Sequence, residues 1–271
     1  ASRRSLLQQF GAAAIGISLG LIGAGGSILT VPVLVYLAGV DPVLATAYSL
    51  FVVGSTALVG GIQNAFRKLV DFKTALLFGV PSIIAVYVTR AWIMPAIPES
   101  IGSADFGFSK GTGLLLLFAG LMIATSWSMI RGGVEAPAVD GALEPDESHH
   151  FGLILAEGAG VGTLTGLVGA GGGFLIIPAL VLFAKLDMKR AVGTSLFIIA
   201  MKSLLGFTGD LQAGMPIEWP FLLAFTGASV SGIFVGSWLN NFIAGHRLKT
   251  AFGWFVLVMG IYMIVRETVF R

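Results

Sequence analysis

Eight apolar stretches divide this chain, and most of them are about twenty residues long, the length that one helix needs to cross a bilayer. They lie at about 6–39, 42–66, 74–97, 111–130, 151–184, 191–209, 219–244 and 250–265. Charged residues make up 11% of the sequence, whereas a soluble domain carries roughly 25%. The pattern predicts an all-α polytopic membrane protein, with a single transmembrane domain over residues 1–271 that is surrounded by the lipid bilayer.

Composition excludes several classes of site. The chain has no cysteine, which rules out disulfides, thiolate metal sites and thiol catalysis. The net charge of +2 arises from residues that lie almost entirely between the apolar stretches, so it gives no indication of a nucleic-acid partner. His149 and His150 are adjacent, but no further ligand accompanies them. We therefore predict no metal site and no cofactor, and the composition leaves the oligomeric state open.

The two halves of the chain repeat each other. With a shift of 146 residues, Gly20–Gly60 aligns without a gap onto Gly166–Gly206, and 18 of the 41 positions are identical. The polar, acidic stretch 132–150 separates the halves. The sequence therefore predicts two homologous units of four apolar segments, at about 6–131 and 151–266, joined by a solvated linker. Internal duplication of this kind is frequent in secondary transporters.

The distribution of positive residues favours repeats of opposite orientation. Segments one and five are about 34 residues long, and they could return to the side on which they start. In that case Lys and Arg divide 9 to 2 between the loops of the two sides, the two being Arg90 and Lys110. With the terminal residues included, this division is 9 to 6, whereas it is 8 to 7 if all eight segments cross. Because positive residues collect in cytoplasmic loops, we expect inverted repeats, a bacterial inner-membrane location and a cytoplasmic linker at 132–150.

A glycine cluster interrupts the long first segment of each half, at 23–26 and at 169–173. Glycine permits a break in a membrane helix, and the half-helix that follows presents free N–H groups and the positive end of its dipole to an anion. The alternative is close packing between helices, which we prefer for the upstream glycines at 16, 20, 158, 162 and 166 because they recur every four residues. For the clusters, we predict a broken-helix binding site with N–H donors from Gly25, Gly26, Gly171, Gly172 and Gly173.

These motifs also carry a family resemblance. The first half reads GAGGSILTVP (23–32) followed by ATAYSL (45–50), and the second reads GAGGGFLIIP (169–178) followed by AVGTSL (191–196). Such a doubled motif around a polar linker resembles the sulfite exporter TauE/SafE family. The resemblance implies an integral membrane transporter of small sulfur-containing anions such as sulfite, sulfonates or sulfoacetate. Ser27, which stands where the second cluster has Gly173, is a departure from the fuller pattern.

Polar residues on the second segment of each half add side chains to this predicted site. Ser49 and Thr56 share one helical face, and Ser195 and Lys202 occupy the equivalent face of the other half. Lys202 lies twelve residues after Arg190, roughly 18 Å along a helix, and is thus close to the bilayer centre. We predict that Lys202 supplies a positive charge for an anion, with hydroxyls from Ser49, Thr194 and Ser195; snorkelling to the interface is the alternative for Lys202.

Other ionisable residues have structural interpretations. Asp41 and Asp187 precede helices and are expected to be N-caps. Glu157 could carry protons, but we favour a position near the N-terminus of segment five, where a carboxylate is stabilised. Phe207–Asp210 resembles an intramembrane aspartyl protease motif, but it lacks the glycine, and no second membrane aspartate is evident to pair with Asp210.

The sequence thus predicts a transporter rather than an enzyme, without catalytic residues. It would carry a small sulfur-containing anion through a midplane site between the repeats. A passive anion channel is the main alternative because it would show the same glycine breaks and central charge, and an intramembrane enzyme is the more distant one. The exact substrate, transport direction and coupling ion are left open.

Overall fold

The described part of the chain is built almost entirely of helices, in agreement with the predicted all-α class. In this computed structural model, the described residues are 3–22, 27–101, 108–130, 147–182, 184, 186–239 and 245–269. Within these ranges there is one short β-ladder, in which Ser100–Ile101 (β1) pairs antiparallel with Phe108–Ser109 (β2).

The helices of the first half follow the predicted apolar stretches closely. They are α1 (Arg3–Ile22), α2 (Thr30–Pro32), α3 (Pro42–Phe66), α4 (Phe72–Val88), α5 (Met94–Ala96) and α6 (Lys110–Ile130). Two π-helical segments extend this set, Val33–Leu37 after α2 and Thr89–Ile93 between α4 and α5. Such π-helical turns often occur at functional sites.

Five helices lie in the part of the second half that the structure describes. They are α7 (Glu147–Val168), α8 (Gly173–Leu182), α9 (Met188–Gln212), α10 (Trp219–Leu239) and α11 (Gly245–Val269). Among the described residues, five helical stretches are long and apolar enough to cross a membrane: Pro42–Phe66, Phe72–Ala96, Lys110–Trp127, Lys189–Gln212 and Trp219–Leu239. Shorter apolar helices cover Gln9–Leu21, Ser27–Leu37 and Leu155–Val168. The protein is therefore an integral membrane protein with several spanning helices.

Both predicted N-caps are confirmed. An oxygen of Asp41 accepts hydrogen bonds from the backbone N–H groups of Val43 and Leu44 at the start of α3, and Asp187 accepts one from the N–H of Arg190 at the start of α9. The favoured position for Glu157 is wrong. Because α7 begins at Glu147, inside the segment predicted as a connector, Glu157 lies three turns into the helix rather than at its end.

The upstream glycines pack helices together, as predicted. A Cβ placed on Gly158 or Gly162 of α7 would lie 2.6 or 2.5 Å from a backbone oxygen of α4, those of Phe78 and Ser82 respectively. Gly16 and Gly20 of α1 meet the backbone of α10 in the same way, around Gly232. Small residues allow such close approach of helices in a membrane. The contact of α1 with α10 thus has a counterpart in the contact of α7 with α4.

Helices α3 and α9, which occupy equivalent places in the two halves, pack against each other in antiparallel orientation. Near the start of α3, Leu50 contacts Gly206, whereas near its end Gly61 lies 3.3 Å, measured from a built Cβ, from the backbone of Phe197. Both helices are largely buried. They form the centre of the molecule, and the remaining contacts between the halves surround them.

Candidate functional site

A turn of glycines separates α7 from α8. The helix α7 ends at Val168 and α8 begins at Gly173. Between them, Gly169, Gly171 and Gly172 have φ values of +74°, +65° and +71°, which residues with a side chain rarely adopt. We call residues 169–172 the glycine turn. Its conformation explains why the cluster must be glycine whether or not it binds a ligand.

Lys202 approaches the glycine turn from α9. Its side chain is fully buried, and Nζ donates a hydrogen bond of 2.8 Å to Oγ1 of Thr165 in α7. A Cβ built on Gly172 would lie 2.9 Å from the same Nζ. The ammonium therefore sits against the backbone that precedes α8. The snorkelling alternative does not describe this side chain, because Nζ contacts an interior hydroxyl and not the interface.

No carboxylate of the described residues forms an ion pair with Lys202. The one ion pair found in that part of the chain joins Arg90 to Asp210. Thr165 donates its own hydroxyl hydrogen to the Gly162 carbonyl, so it offers Lys202 a neutral oxygen lone pair. A central Lys costs about 2.5–3.5 kcal/mol by insertion scales. A neutral acceptor offsets only part of that cost, and the positive charge stays uncompensated.

The glycine turn touches both halves of the molecule. A Cβ on Gly171 would lie 2.6 Å from Val53 of α3 and 3.4 Å from both Ser27 and Ile199. Gly169 packs on the backbone of Thr46, near the start of α3. The turn thus lies where α3, α7 and α9 meet, which is the kind of position predicted for a site between the repeats.

The other predicted site residues have different surroundings. Ser49 is buried on α3, and its hydroxyl has no hydrogen-bond partner within the described structure. Ser195 donates to the Val192 carbonyl of its own helix. Thr194 accepts a hydrogen bond from the N–H of Asp71, at the start of α4. The structure therefore does not bring Thr194 into contact with Lys202.

The predicted donors on the glycine clusters can be placed only for the second half. Gly171 and Gly172 lie in the glycine turn, and Gly173 is the first residue of α8. Gly25 and Gly26 lie outside the described residues. Gly172 is the predicted donor residue that the structure places beside Lys202.

A second buried charge was missed by sequence reasoning. Arg90, counted above as a loop residue, is fully buried in the π-helical segment Thr89–Ile93. Its Nη1 donates to Oγ1 of Thr46 at 2.9 Å and to Oδ1 of Asp210 at 3.3 Å. The available signal was its place inside the third apolar stretch, seven residues before the predicted end. Asp210, for which the sequence suggested no partner, pairs with this arginine.

Comparison with known proteins identifies the family. The family model described as sulfite exporter TauE/SafE matches residues 10–263. The chain belongs to this family. A "probable membrane transporter protein" of Xylella fastidiosa (strain 9a5c) is 30% identical over 261 residues, covering 93% of this chain and 92% of the relative. The "probable membrane transporter protein YunE" of Bacillus subtilis (strain 168) is 31% identical over 236 residues, covering 82% and 83%.

A more distant relative has the same extent. The "probable membrane transporter protein MJ0441" of Methanocaldococcus jannaschii is 26% identical over 264 residues, covering 93% of this chain and 92% of the relative. No solved structure matches the chain. The resemblance drawn from the doubled motif is confirmed, and this TauE/SafE member is a membrane transporter. The names of its relatives specify neither a substrate nor a coupling ion.

Proposed function

We propose that the protein is a secondary transporter of a small sulfur-containing anion, of the sulfite, sulfonate or sulfoacetate type, which binds beside Lys202 at the glycine turn. The observation that carries the proposal is the fully buried ammonium that has a neutral hydroxyl as its hydrogen-bond partner. A bound anion compensates this charge, so that binding and stability are linked.

The start of α8 strengthens the case for an anion. The N-terminus of a helix carries roughly half a positive charge and free N–H groups. α8 begins at Gly173, immediately after the residue that lies against the Lys202 ammonium. Two positive groups therefore face the same place. They repel each other unless an anion lies between them, and a sulfonate offers three oxygens for the N–H donors that remain.

We further propose that the halves are inverted repeats whose first segments are interrupted at the glycine clusters. The antiparallel packing of α3 with α9 supports this, because equivalent helices of parallel repeats would run in the same direction. The paired contacts of α1 with α10 and of α7 with α4 support it as well. On this arrangement the substrate site lies near the midplane of a bacterial inner membrane, and the linker 132–150 is cytoplasmic.

The proposal is tested by transport into liposomes with sulfite, thiosulfate and sulfoacetate. Lys202→Met keeps the bulk of the stem and removes the charge. We expect at least tenfold weaker anion affinity, about 1.4 kcal/mol, with an unliganded protein that is no less stable because a costly buried charge has gone. Lys189→Met is the matched control, since Lys189 is exposed at the start of the same helix. Parental affinity in Lys202→Met would remove Lys202 from the site.

The same vesicles separate a carrier from a passive channel. A carrier exchanges labelled anion against unlabelled anion on the other side, and accumulates it against its gradient when a coupling ion is supplied. A channel equilibrates the anion and never concentrates it. Accumulation above the external concentration supports the proposed carrier. Equilibration under every imposed ion gradient would show that the protein is a passive channel.

A further inference from the structure

Arg90 and Asp210 form a buried polar cluster that the Lys202 site does not use. Arg90 lies on the π-helical segment Thr89–Ile93 and Asp210 near the end of α9, with side-chain exposures of 0% and 1%. The cluster is connected to the glycine turn. Thr46, whose hydroxyl accepts from Arg90, also packs against Gly169. The turn thus contacts Lys202 at Gly172 and, at Gly169, the threonine that binds Arg90.

Much of the hydrogen-bonding capacity of this cluster is not used. Only Nη1 of Arg90 has partners, whereas Nε, Nη2 and the Oδ2 atom of Asp210 have none within the described structure. Nε and Nη2 lie on the same edge of the planar guanidinium. That edge is the one that binds two oxygens of an oxyanion in parallel, which gives the strongest and most directional of arginine's hydrogen bonds.

Charge balance links an anion on this edge to a proton. Asp210 already neutralises Arg90, so an added oxyanion would place two negative groups around one guanidinium in a medium that screens charge poorly. Protonation of Asp210 restores the balance. The three buried side chains Arg90, Lys202 and Asp210 then carry a summed charge of +2 in place of +1.

We propose that the Nε–Nη2 edge of Arg90 is a second oxyanion site, and that Asp210 takes up one proton when it is filled. A dianion whose two acidic groups reach both Lys202 and Arg90 then binds together with one proton, and sulfoacetate is the probe for this charge class. A simple monosulfonate neutralises Lys202 alone and needs no proton. This inference rests on the proposed function, and it names the charge class of the substrate and the coupling ion.

The groups around Asp210 fit this role. From the π-helical segment, Arg90 is the charged group that faces it. The Thr46 hydroxyl of α3 accepts from the same Arg90, and Tyr87 of α4 binds Gln212, which follows Asp210 by two residues on α9. Among the described residues, Glu157 on α7 is the other carboxylate with a buried oxygen that lacks a partner. It is therefore the natural control.

The test measures sulfoacetate affinity as a function of pH by thermal-shift titration of the purified full chain. Sulfoacetate keeps both negative charges around neutral pH, so a change in affinity reports on the protein. In the parent, affinity should weaken by up to about tenfold for each unit of rising pH, as uptake of one proton requires. Asp210→Asn, a neutral mimic of the protonated acid, should bind with parental low-pH affinity at every pH.

Three controls test whether the pH dependence arises from Asp210 and requires a dianion. Glu157→Gln and Asp187→Asn should keep the parental pH dependence; Asp187 is an exposed N-cap that asparagine replaces well. Methanesulfonate, a monoanion that involves Lys202 alone, should show a pH dependence weaker than that of sulfoacetate by up to about tenfold for each pH unit. An equal pH dependence in Asp210→Asn and the parent, or its loss in Glu157→Gln, would overturn the inference.

A measurement on the parent alone keeps the inference testable if Asp210→Asn does not fold. Adding sulfoacetate to the protein in weak buffer should consume about one proton more for each anion bound than adding methanesulfonate does. Binding without proton uptake contradicts the inference while leaving Lys202 in place. If the parent binds none of these anions, both the proposed function and this inference are contradicted.

Discussion

At the scale of single residues, two threonines hold the buried cations of this transporter. Thr165 and Thr46 each donate a hydroxyl hydrogen to a carbonyl of their own helix, those of Gly162 and Val43. The remaining lone pair of each hydroxyl therefore points away from that helix and accepts from a cation. A carboxylate in the place of Thr165 would neutralise Lys202. Threonine fixes the ammonium without neutralising it, which leaves the charge available to an anion.

Thr165→Val tests this arrangement, because valine has nearly the same shape and no acceptor. We expect the unliganded protein to lose about 1–3 kcal/mol of stability, since Lys202 is left without its acceptor. The thermal shift caused by sulfoacetate should increase, because the anion then satisfies an unpaired ammonium. Thr163→Val is the control: Thr163 lies on the same helix and its hydroxyl bonds only the Ala159 carbonyl. An equal effect of both substitutions would show that the Thr165–Lys202 contact is unimportant.

At the scale of helices, contacts between the halves depend on glycines with a definite spacing. Gly162 lies against Ser82 of α4, whereas Gly160 on the same helix has no atom within 4 Å of a built Cβ. Gly162→Ala should therefore separate α7 from α4 and lower stability by about 1–3 kcal/mol through overpacking. Gly160→Ala should be neutral or mildly stabilising, because alanine favours the helix. The unfolding temperatures of the two variants, measured in the same detergent, test this prediction. Equal unfolding temperatures would contradict the packing role of Gly162.

The helices and their caps could be predicted from the sequence because those signals are local. The apolar stretch 42–66 has the bounds of α3, and Asp41 caps it as expected. Lys202 could be singled out because a lysine in the middle of an apolar helix is conspicuous. Its partner Thr165 could not, since threonines are common in membrane helices and the contact joins residues far apart in the chain.

Arg90 was misplaced for a related reason. It lies inside the predicted apolar stretch 74–97, seven residues before its end, and the charge count nevertheless assigned it to a loop. The structure continues the helix through a π-helical segment and turns the side chain inward to Asp210. Such a segment has no simple sequence signature. A pairing between residues 120 positions apart depends on how the two halves pack, which no local pattern encodes.

At the scale of the whole molecule, the antiparallel pair α3 and α9 places loops of the two halves at common ends. A Cβ built on Gly193, near the start of α9, would lie 2.5 Å from the backbone oxygen of Leu69, just after α3. The opposite ends meet where Thr46 and Asp210 share Arg90. The positively charged loops at Arg67 and Lys189 therefore lie at one end of the molecule. Removing Arg90 from the loop count strengthens the charge asymmetry between the two ends.

This arrangement predicts which single cysteines label from which side of the membrane. The chain has no cysteine, so introduced ones have no background. Arg67, Lys189 and Ala213 are exposed, and none lies at the candidate site. In spheroplasts, cysteines at Arg67 and Lys189 should resist a membrane-impermeant maleimide until the cells are opened, because positive loops face the cytoplasm. A cysteine at Ala213, after the far end of α9, should react at once.

Since α9 crosses the membrane in any topology, the informative comparison is between positions 67 and 189. Reaction from opposite faces would make α3 and α9 parallel in the membrane, and it would contradict both their packing and the inverted repeats.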